Sequence, residues 1–389
     1  MVSKPLHIGV IYGGISDQKV GMDQYAQQIL LTMKQLAPEH RYVLIDHRRQ
    51  TDPFRNRFEQ LVIPLPKPPA AVSRWNLIEV PRVLSRFDLV FSPGLYGPPR
   101  LPADVKGVMV VHDLVRYLFP RFFVFNLMQK ALDRWAYPRM LRNYRHLITV
   151  SESTKQDLIR LFQIPAEKIT VTHHGAGTEF HPVDDPGGPA GFLQKYNLSI
   201  PFILFLGTLE PRKNLTTLIQ ALALLKEKIP HSLVLVGQKG WLWEEIFKAV
   251  TKHGLQDRVH WTGYIPDEDR VLFYNAADFL VYPSWYEGFG MPVLEALQSG
   301  CPVIASRVSA LPEVVGEAGL LIDPGNTEDL AGAMLRMVEA PELRQSLREA
   351  GLVRARQFSW EESARKTLEV FEAATSSAPS LDGRGAGGG

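Results

Sequence analysis

No stretch constrains the fold of this chain more than residues 278–297, DFLVYPSWYEGFGMPVLEAL. Phe279-Leu280-Val281-Tyr282 is apolar throughout and too short for a helix, so it reads as a buried strand. A loop carrying Gly288 and Gly290 follows. Pro292 is then placed to open a helix, because its fixed φ suits the first turn and its missing N–H is not needed there. Strand, glycine loop and helix in that order make one unit of an open α/β sheet. Ligands bind in the crevice at the carboxyl ends of such strands, where loops carry no packing duty and the helix start offers unpaired N–H groups.

That placement gives two carboxylates a purpose. Glu287 falls on the loop and Glu295, eight residues on, near the first helical turn. Together they suit the hydroxyls of a sugar or ribose, while the backbone of Gly288, Phe289 and Gly290 can approach a phosphate closely. Taken alone, the pair would read as a solvated loop glutamate and a surface salt bridge. A second signal lies upstream, where an apolar run ends at Gly207 and Thr208-Leu209-Glu210-Pro211-Arg212-Lys213-Asn214 leads into a helix expected over 215–228. Arg212 and Lys213 thus stand at a helix start, where the dipole disfavours cations by about 0.3–1 kcal/mol. A bound diphosphate would give that placement sense, with a bidentate fork from Arg212 and a point charge from Lys213.

The same alternation fills the chain. Strands are expected at 6–11, 42–45, 89–91, 108–111, 147–150 and 169–175 in the first half, and at 201–207, 232–237, 259–265, 278–282, 301–305 and 319–322 in the second. Amphipathic helices are expected at 22–36, 241–253 and 359–374. Ser151 or Ser153 can cap the helix that follows the strand at 147–150, and Ser153 with Gln156, like Ser359 with Glu362, has the spacing of a capping box. The Pro/Gly-rich stretch beginning at His181 marks a linker. The organisation is therefore a first α/β domain over 1–182, a linker over 183–198, a second domain over 199–358, a helix over 359–375 and a disordered Gly-rich tail over 376–389. A length of 389 residues fits two domains, and a chain 45% hydrophobic and 22% charged fits a soluble globular protein. No apolar run nears the roughly 18 residues of a membrane span, and the N-terminus leads straight into a strand, so a secreted or integral protein is not expected. Cys301, the single cysteine, is expected to pack as a small hydrophobe in a reducing, cytoplasmic compartment.

Charge divides unevenly: residues 1–180 carry 24 Lys and Arg against 15 Asp and Glu, the remainder 19 against 26. The segment 118–130 is rich in aromatics and flanked by Arg116, Arg134, Arg139, Arg142 and Arg145, with Arg48, Arg49, Arg55 and Arg57 adding to the same charge. It is either a core helix with a solvated basic face or a surface that lies against anionic lipid at the inner face of a membrane. No nucleic-acid-binding motif accompanies it. Neither half has the G-x-G-x-x-G spacing of dinucleotide-binding dehydrogenases after its first strand.

Further candidates sit at strand ends. His112 follows the strand at 108–111, and Asp113 either orients its imidazole or caps what comes next. Gly13 and Gly21 lie in the loop after the first strand, with Tyr25 four residues beyond Gly21. His173 and His174 are neighbours that point apart and so are unsuited to share a metal. Gly175 is explained by a turn.

The pattern Glu287, Gly288-Phe289-Gly290, Glu295 resembles the signature of retaining glycosyltransferases of family 4, and the resemblance covers nearly the whole chain. It implies the GT-B fold, with two Rossmann-like domains facing each other across a cleft and the last helix crossing back to the first. It also implies a metal-independent transfer of a hexose from a nucleoside-diphosphate sugar, with retention and with no cofactor. In that picture Arg212 and Lys213 hold the diphosphate in place of a divalent metal, Glu287 holds the donor sugar, Glu295 the ribose, and His112 aligns sugar and acceptor from the opposite domain. Gly207, Gly237, Tyr264 and the Gly288-Phe289-Gly290 backbone line the donor side, and Gly21, Tyr25 and Asp113 the acceptor side. The resemblance also implies a place near the cleft for Gly175, which a turn explains equally well. The wording around Arg212 and Glu287 looks most like bacterial surface-polysaccharide mannosyltransferases. That points to GDP-mannose ahead of UDP-glucose, and to a glycan or lipid-linked glycan acceptor. A catalytically idle nucleotide-sugar binder is the other reading, and it would not need Glu287 and His112.

Overall fold

The computed structural model of the chain describes residues 4–13, 21–67, 74–94, 97–123, 135–183 and 191–376. The loop between Gly13 and Gly21, residues 124–130 of the aromatic segment, Arg134, residues 184–190 of the linker and nearly all of the tail lie outside the described residues.

Two parallel sheets organise the molecule. The first has seven strands: β1 (His7–Ile11), β2 (Arg41–Asp46), β3 (Glu59–Val62), β4 (Leu89–Ser92), β5 (Lys106–Val111), β6 (His146–Thr149) and β7 (Ile169–Val171), in the order β3-β2-β1-β4-β5-β6-β7. The second has six: β8 (Phe202–Leu206), β9 (Ser232–Val236), β10 (Val259–Gly263), β11 (Phe279–Tyr282), β12 (Val303–Ser306) and β13 (Leu320–Ile322), in the order β10-β9-β8-β11-β12-β13. All pairings are parallel, so helices cover both faces and the inner strands are buried along their length, as their unbroken apolar runs require.

In each sheet the order reverses beside the first strand, between β1 and β4 and between β8 and β11. A crevice opens there, because successive crossovers leave in opposite directions. The helices that bear on it are α1 (Gly21–Leu36), α2 (Glu152–Phe162), α3 (Leu215–Leu224), α4 (Asp267–Ala276), α5 (Met291–Gln298), α6 (Leu311–Val315) and α7 (Trp360–Thr375).

Two helix starts differ in what caps them. At α2 the cap is Ser151, whose Oγ accepts from the Thr154 N–H at 3.1 Å, while Gln156 turns instead to Glu152. The Ser153 box is therefore not used: Ser151 is the last residue still in extended backbone, which is where a cap must sit. At α7 the Ser359 Oγ does accept from the Glu362 N–H, at 3.1 Å. This last helix packs on α1 and against β4, β5 and β6 of the first sheet, burying Thr367, Val370 and Phe371, with Phe371 against Phe91 at 5.1 Å between ring centroids. The chain thus crosses to the second domain and returns to complete the first.

Candidate active site

The second domain supplies a charged centre at its switch point. After β8 the backbone turns at Gly207, and Pro211–Lys213 forms a single 3-10 turn ahead of Asn214 and α3. Gly237, at the end of β9, has φ +138°, and a Cβ there would lie 2.1 Å from the Gly207 carbonyl oxygen, so only glycine lets these two loops touch. Asn214 Nδ2 bonds the carbonyls of Pro283 (3.1 Å) and Pro324 (2.8 Å), and the Trp285 N–H bonds Arg212 O (2.9 Å). The turn is thereby fastened to the loop that follows β11.

Three charged side chains meet where those loops join. Arg212 Nη1 donates to Glu287 Oε2 at 2.6 Å and to the Tyr286 carbonyl at 3.0 Å, and Lys213 Nζ donates to Glu287 Oε1 at 2.7 Å and to the Tyr282 hydroxyl at 2.6 Å. Glu210 accepts from Arg212 Nε at 2.8 Å and Nη2 at 2.7 Å. Burial alone would raise the pKa of Glu287, but the charges of Arg212 and Lys213 outweigh it and hold the carboxyl at about 2. Burial and the Arg212 charge push Lys213 below its ordinary value, against the pull of Glu287 and Glu210.

This corrects the expectation of two cations opposed by a helix dipole and awaiting an anion. They lie in the turn before α3, Lys213 is buried, and Glu210 and Glu287 already balance their charge. Of the five donors of a guanidinium and three of an ammonium, the contacts with described residues use four and two, leaving one N–H on each without a partner among those residues.

Glu295 sits one turn into α5, fully buried rather than on the surface. Its Oε2 is held by Arg270 Nη2 and by the Tyr274 hydroxyl (2.8 Å), both from α4, while Oε1 has no partner among the described residues. Burial raises its pKa in spite of Arg270. Gly237 N donates to Gly263 O at 2.9 Å, which brings the Gly263 turn beside Gly207 and Gly237 and leaves Tyr264 63% exposed at the lip. Gly290 caps α5 at φ +108°, and Phe289 is buried, stacked on His174 at 4.8 Å. Its ring serves the contact between domains.

The first domain faces this centre with the end of β5. His112 Nε2 lies 2.8 Å from the Pro93 carbonyl, which only accepts, so Nε2 carries the proton and Nδ1 keeps its lone pair. Burial lowers the pKa of His112, and its imidazole is neutral at pH 7. Asp113 Oδ1 accepts from the Val115 N–H at 3.2 Å, and its charge acts on His112 against the effect of burial. Tyr25 is wholly buried, edge-on to His112 at 4.8 Å and near His174 at 4.9 Å, and backs the histidine from behind. Gly21 opens α1, and a Cβ there would meet nothing within 4 Å among the described residues. Gly175 is required by close approach, since a Cβ would lie 2.4 Å from the Trp360 nitrogen at the start of α7.

The two halves touch at Gly288, where a Cβ would lie 1.9 Å from the His112 carbonyl oxygen. Residues that bear on the centre without a sequence signal are Tyr282, Ser309, Arg270 and Tyr274. Only Glu210, two positions before Arg212, was open to detection by spacing.

Two family models match the chain: one described as Glycosyltransferase Family 4 over residues 22–180, and one described as Glycosyl transferases group 1 over residues 194–354. The chain is 35% identical over 287 residues to the O-antigen chain mannosyltransferase B of Escherichia coli, covering 72% of this chain and 73% of that one. It is a family 4 glycosyltransferase. The transferase is also 30% identical over 286 residues to the serotype-specific mannosyltransferase WbdA of Escherichia coli, covering 70% of this chain and 34% of that longer protein. Among solved structures, the sucrose-phosphate synthase of Thermosynechococcus elongatus superposes with a TM-score of 0.75 at 23% identity, over 95% of this chain and 99% of that one. WaaG, a glycosyltransferase involved in lipopolysaccharide biosynthesis, superposes with a TM-score of 0.73 at 18% identity, over 93% and 98%. The shared architecture is the GT-B fold.

Proposed function

We propose that this transferase moves mannose from GDP-mannose to a glycan or lipid-linked glycan in cell-surface polysaccharide synthesis, with retention at the anomeric carbon and without a metal. The observation that carries the reading is Glu287 bound at once by Arg212 and Lys213, directly across the contact from His112. One N–H on each cation meets the diphosphate oxygens, and the negative charge that grows as the bond from the anomeric carbon to phosphate breaks is stabilised there. The acceptor hydroxyl adds to the same face of the sugar, and its proton passes to the departing phosphate oxygen. Glu287 orients the donor-sugar hydroxyls. The unpartnered Oε1 of Glu295 takes a ribose hydroxyl, satisfying an atom that is costly to bury alone. His112, neutral with Nδ1 as acceptor, aligns the sugar and acceptor.

Mannose is preferred to glucose because the E. coli relatives at 35% and 30% identity are named mannosyltransferases. Among the described residues no helix is long and apolar enough to cross a membrane. Contact with a lipid-linked acceptor is therefore assigned to the basic first domain lying against the membrane's inner face. The test is a panel of GDP-, UDP- and ADP-sugars, followed by nucleotide release with chelator present. Release of GDP from GDP-mannose alone, undiminished by chelator, is expected. Release from UDP-glucose alone overturns the donor, and loss with chelator overturns the metal-independent mechanism.

A further inference from the structure

One face of α2, in the first domain, grips the loop of Glu287 on both sides. Ser151 caps the helix through the Thr154 N–H, which leaves the Glu152 and Ser153 amides as first-turn donors. Both are taken by Glu313 of the second domain, whose carboxylate accepts from Glu152 N at 2.7 Å and from Ser153 N at 2.6 Å. Thr154 Oγ1 approaches the Gly288 carbonyl at 3.5 Å, the edge of hydrogen-bonding range. Three residues on, and so on the same face, Asp157 Oδ2 accepts from the Tyr286 hydroxyl at 2.9 Å, while Arg160 holds its Oδ1 at 2.7 Å. Asp157 and Tyr286 are both buried.

Each contact leads back to Glu287 by a short route. The Tyr286 carbonyl accepts from Arg212 Nη1, the nitrogen that also holds Glu287. Glu313 lies on α6, and just before that helix Ser309 Oγ accepts from the Glu287 N–H at 2.9 Å. One arm therefore runs Asp157, Tyr286, Arg212, Glu287, and the other runs from the α2 amides through Glu313 and the 309–313 segment to the Glu287 backbone.

We infer that Asp157, Tyr286 and Glu313 are positioning residues that couple docking of the first domain to the setting of Glu287 and Arg212. With α2 seated, the loop is held at 286 and 288 and the adjoining α6 at 313; with the first domain withdrawn, the loop keeps only its ties within the second domain. The inference rests on the reading of Glu287 and Arg212 as donor-site residues.

Tyr286→Phe, Asp157→Ala, Asp157→Asn and the double variant Tyr286→Phe/Asp157→Ala test the first arm, with sugar-transfer kinetics and GDP and UDP affinity by calorimetry. Turnover is expected to fall about tenfold in Tyr286→Phe and in Asp157→Ala, with nucleotide Kd unchanged within about twofold. The double variant is expected to be no worse than either single one, and Asp157→Asn, which keeps an acceptor for the hydroxyl, to recover to within about threefold of the parent. Additive losses, a parallel loss of nucleotide affinity, or full turnover in both single variants overturns the proposal. Glu313→Ala is read by amide hydrogen exchange on the protein alone, a measurement that stands even if no sugar nucleotide turns over and the functional reading fails. Exchange at Glu152 and Ser153 is expected to quicken about tenfold and to spread to the Glu287 N–H. Unchanged exchange at Glu287 overturns the coupling.

Discussion

Gly288→Ala drives a wedge into the contact between the domains. The added Cβ would lie 1.9 Å from the His112 carbonyl oxygen and 2.9 Å from Asp113 Cβ. Carbon and oxygen settle at about 3.3 Å or beyond, so the two backbones must separate by roughly 1.4 Å at this point. A main-chain carbonyl at the end of β5 has no rotamer with which to step aside, and the relief comes from the domains parting. His112 and Glu287 then move apart by about the same distance, and a displacement near 1 Å costs on the order of 100-fold in rate when reacting groups must be held in register. The donor-side contacts named above all belong to the second domain, so nucleotide affinity should stay within about threefold and the loss should fall on kcat. Each domain keeps its own parallel sheet, so the melting temperature should move little. Gly332→Ala is the control: Gly332 is a helical glycine with nothing within 4 Å of its added Cβ, and the change should leave turnover intact while stabilising by about 1 kcal/mol. Steady-state nucleotide release, with the radius of gyration from X-ray scattering, decides the matter. A parental kcat in Gly288→Ala, or a loss explained by collapse of the melting temperature, refutes the reasoning.

Arg212→Ala and Lys213→Ala should each lower turnover by about 100-fold, more than they raise donor KM, as removal of a donor to developing charge does; full turnover in either variant removes it from the phosphate role. Glu295→Gln leaves Arg270 without its carboxylate in a buried setting and should cost about 3 kcal/mol in urea unfolding, with a rise in donor KM; an unchanged midpoint would count against the pair as drawn. Stability should also fall with acid. Burial, aided by Lys168 and Lys155, holds His146 at about 4, and burial holds His174 well below its ordinary value. The unfolded chain takes up these protons near pH 6.5 while the native state does not, so stability present at pH 7 is lost as pH falls from about 6.5 towards 4. A melting temperature level between pH 7.5 and 5, or an undiminished slope in His146→Gln, would disprove the assignment.

The inner strands were legible because a strand buried on both faces must be apolar throughout, as Phe202–Leu206 and Phe279–Tyr282 are. The edge strand Glu59–Val62 was not, because only one neighbour and partial burial constrain it, and Glu-Gln-Leu-Val carries no period. Glu287, Arg212 and Lys213 could be placed at one crevice because a strand–loop–helix unit fixes where its loop must lie. Their mutual neutralisation could not, since it depends on how two loops more than 70 residues apart pack together. The partners of Glu295 come from α4, 25 and 21 residues earlier, and nothing near either end announces them.

The returning helix α7 has a consequence for how the molecule is made. The first domain is synthesised early, yet the side chains that cover its sheet beside Phe91 belong to residues 360–375. At about 5–20 residues per second, the ribosome needs roughly 10–40 s to travel from the linker to that helix. Throughout that interval the nascent lobe carries an apolar strip with nothing to lie on it, a surface for a chaperone to shield. Final closure of the amino-terminal lobe therefore waits until residues 360–375 have been made.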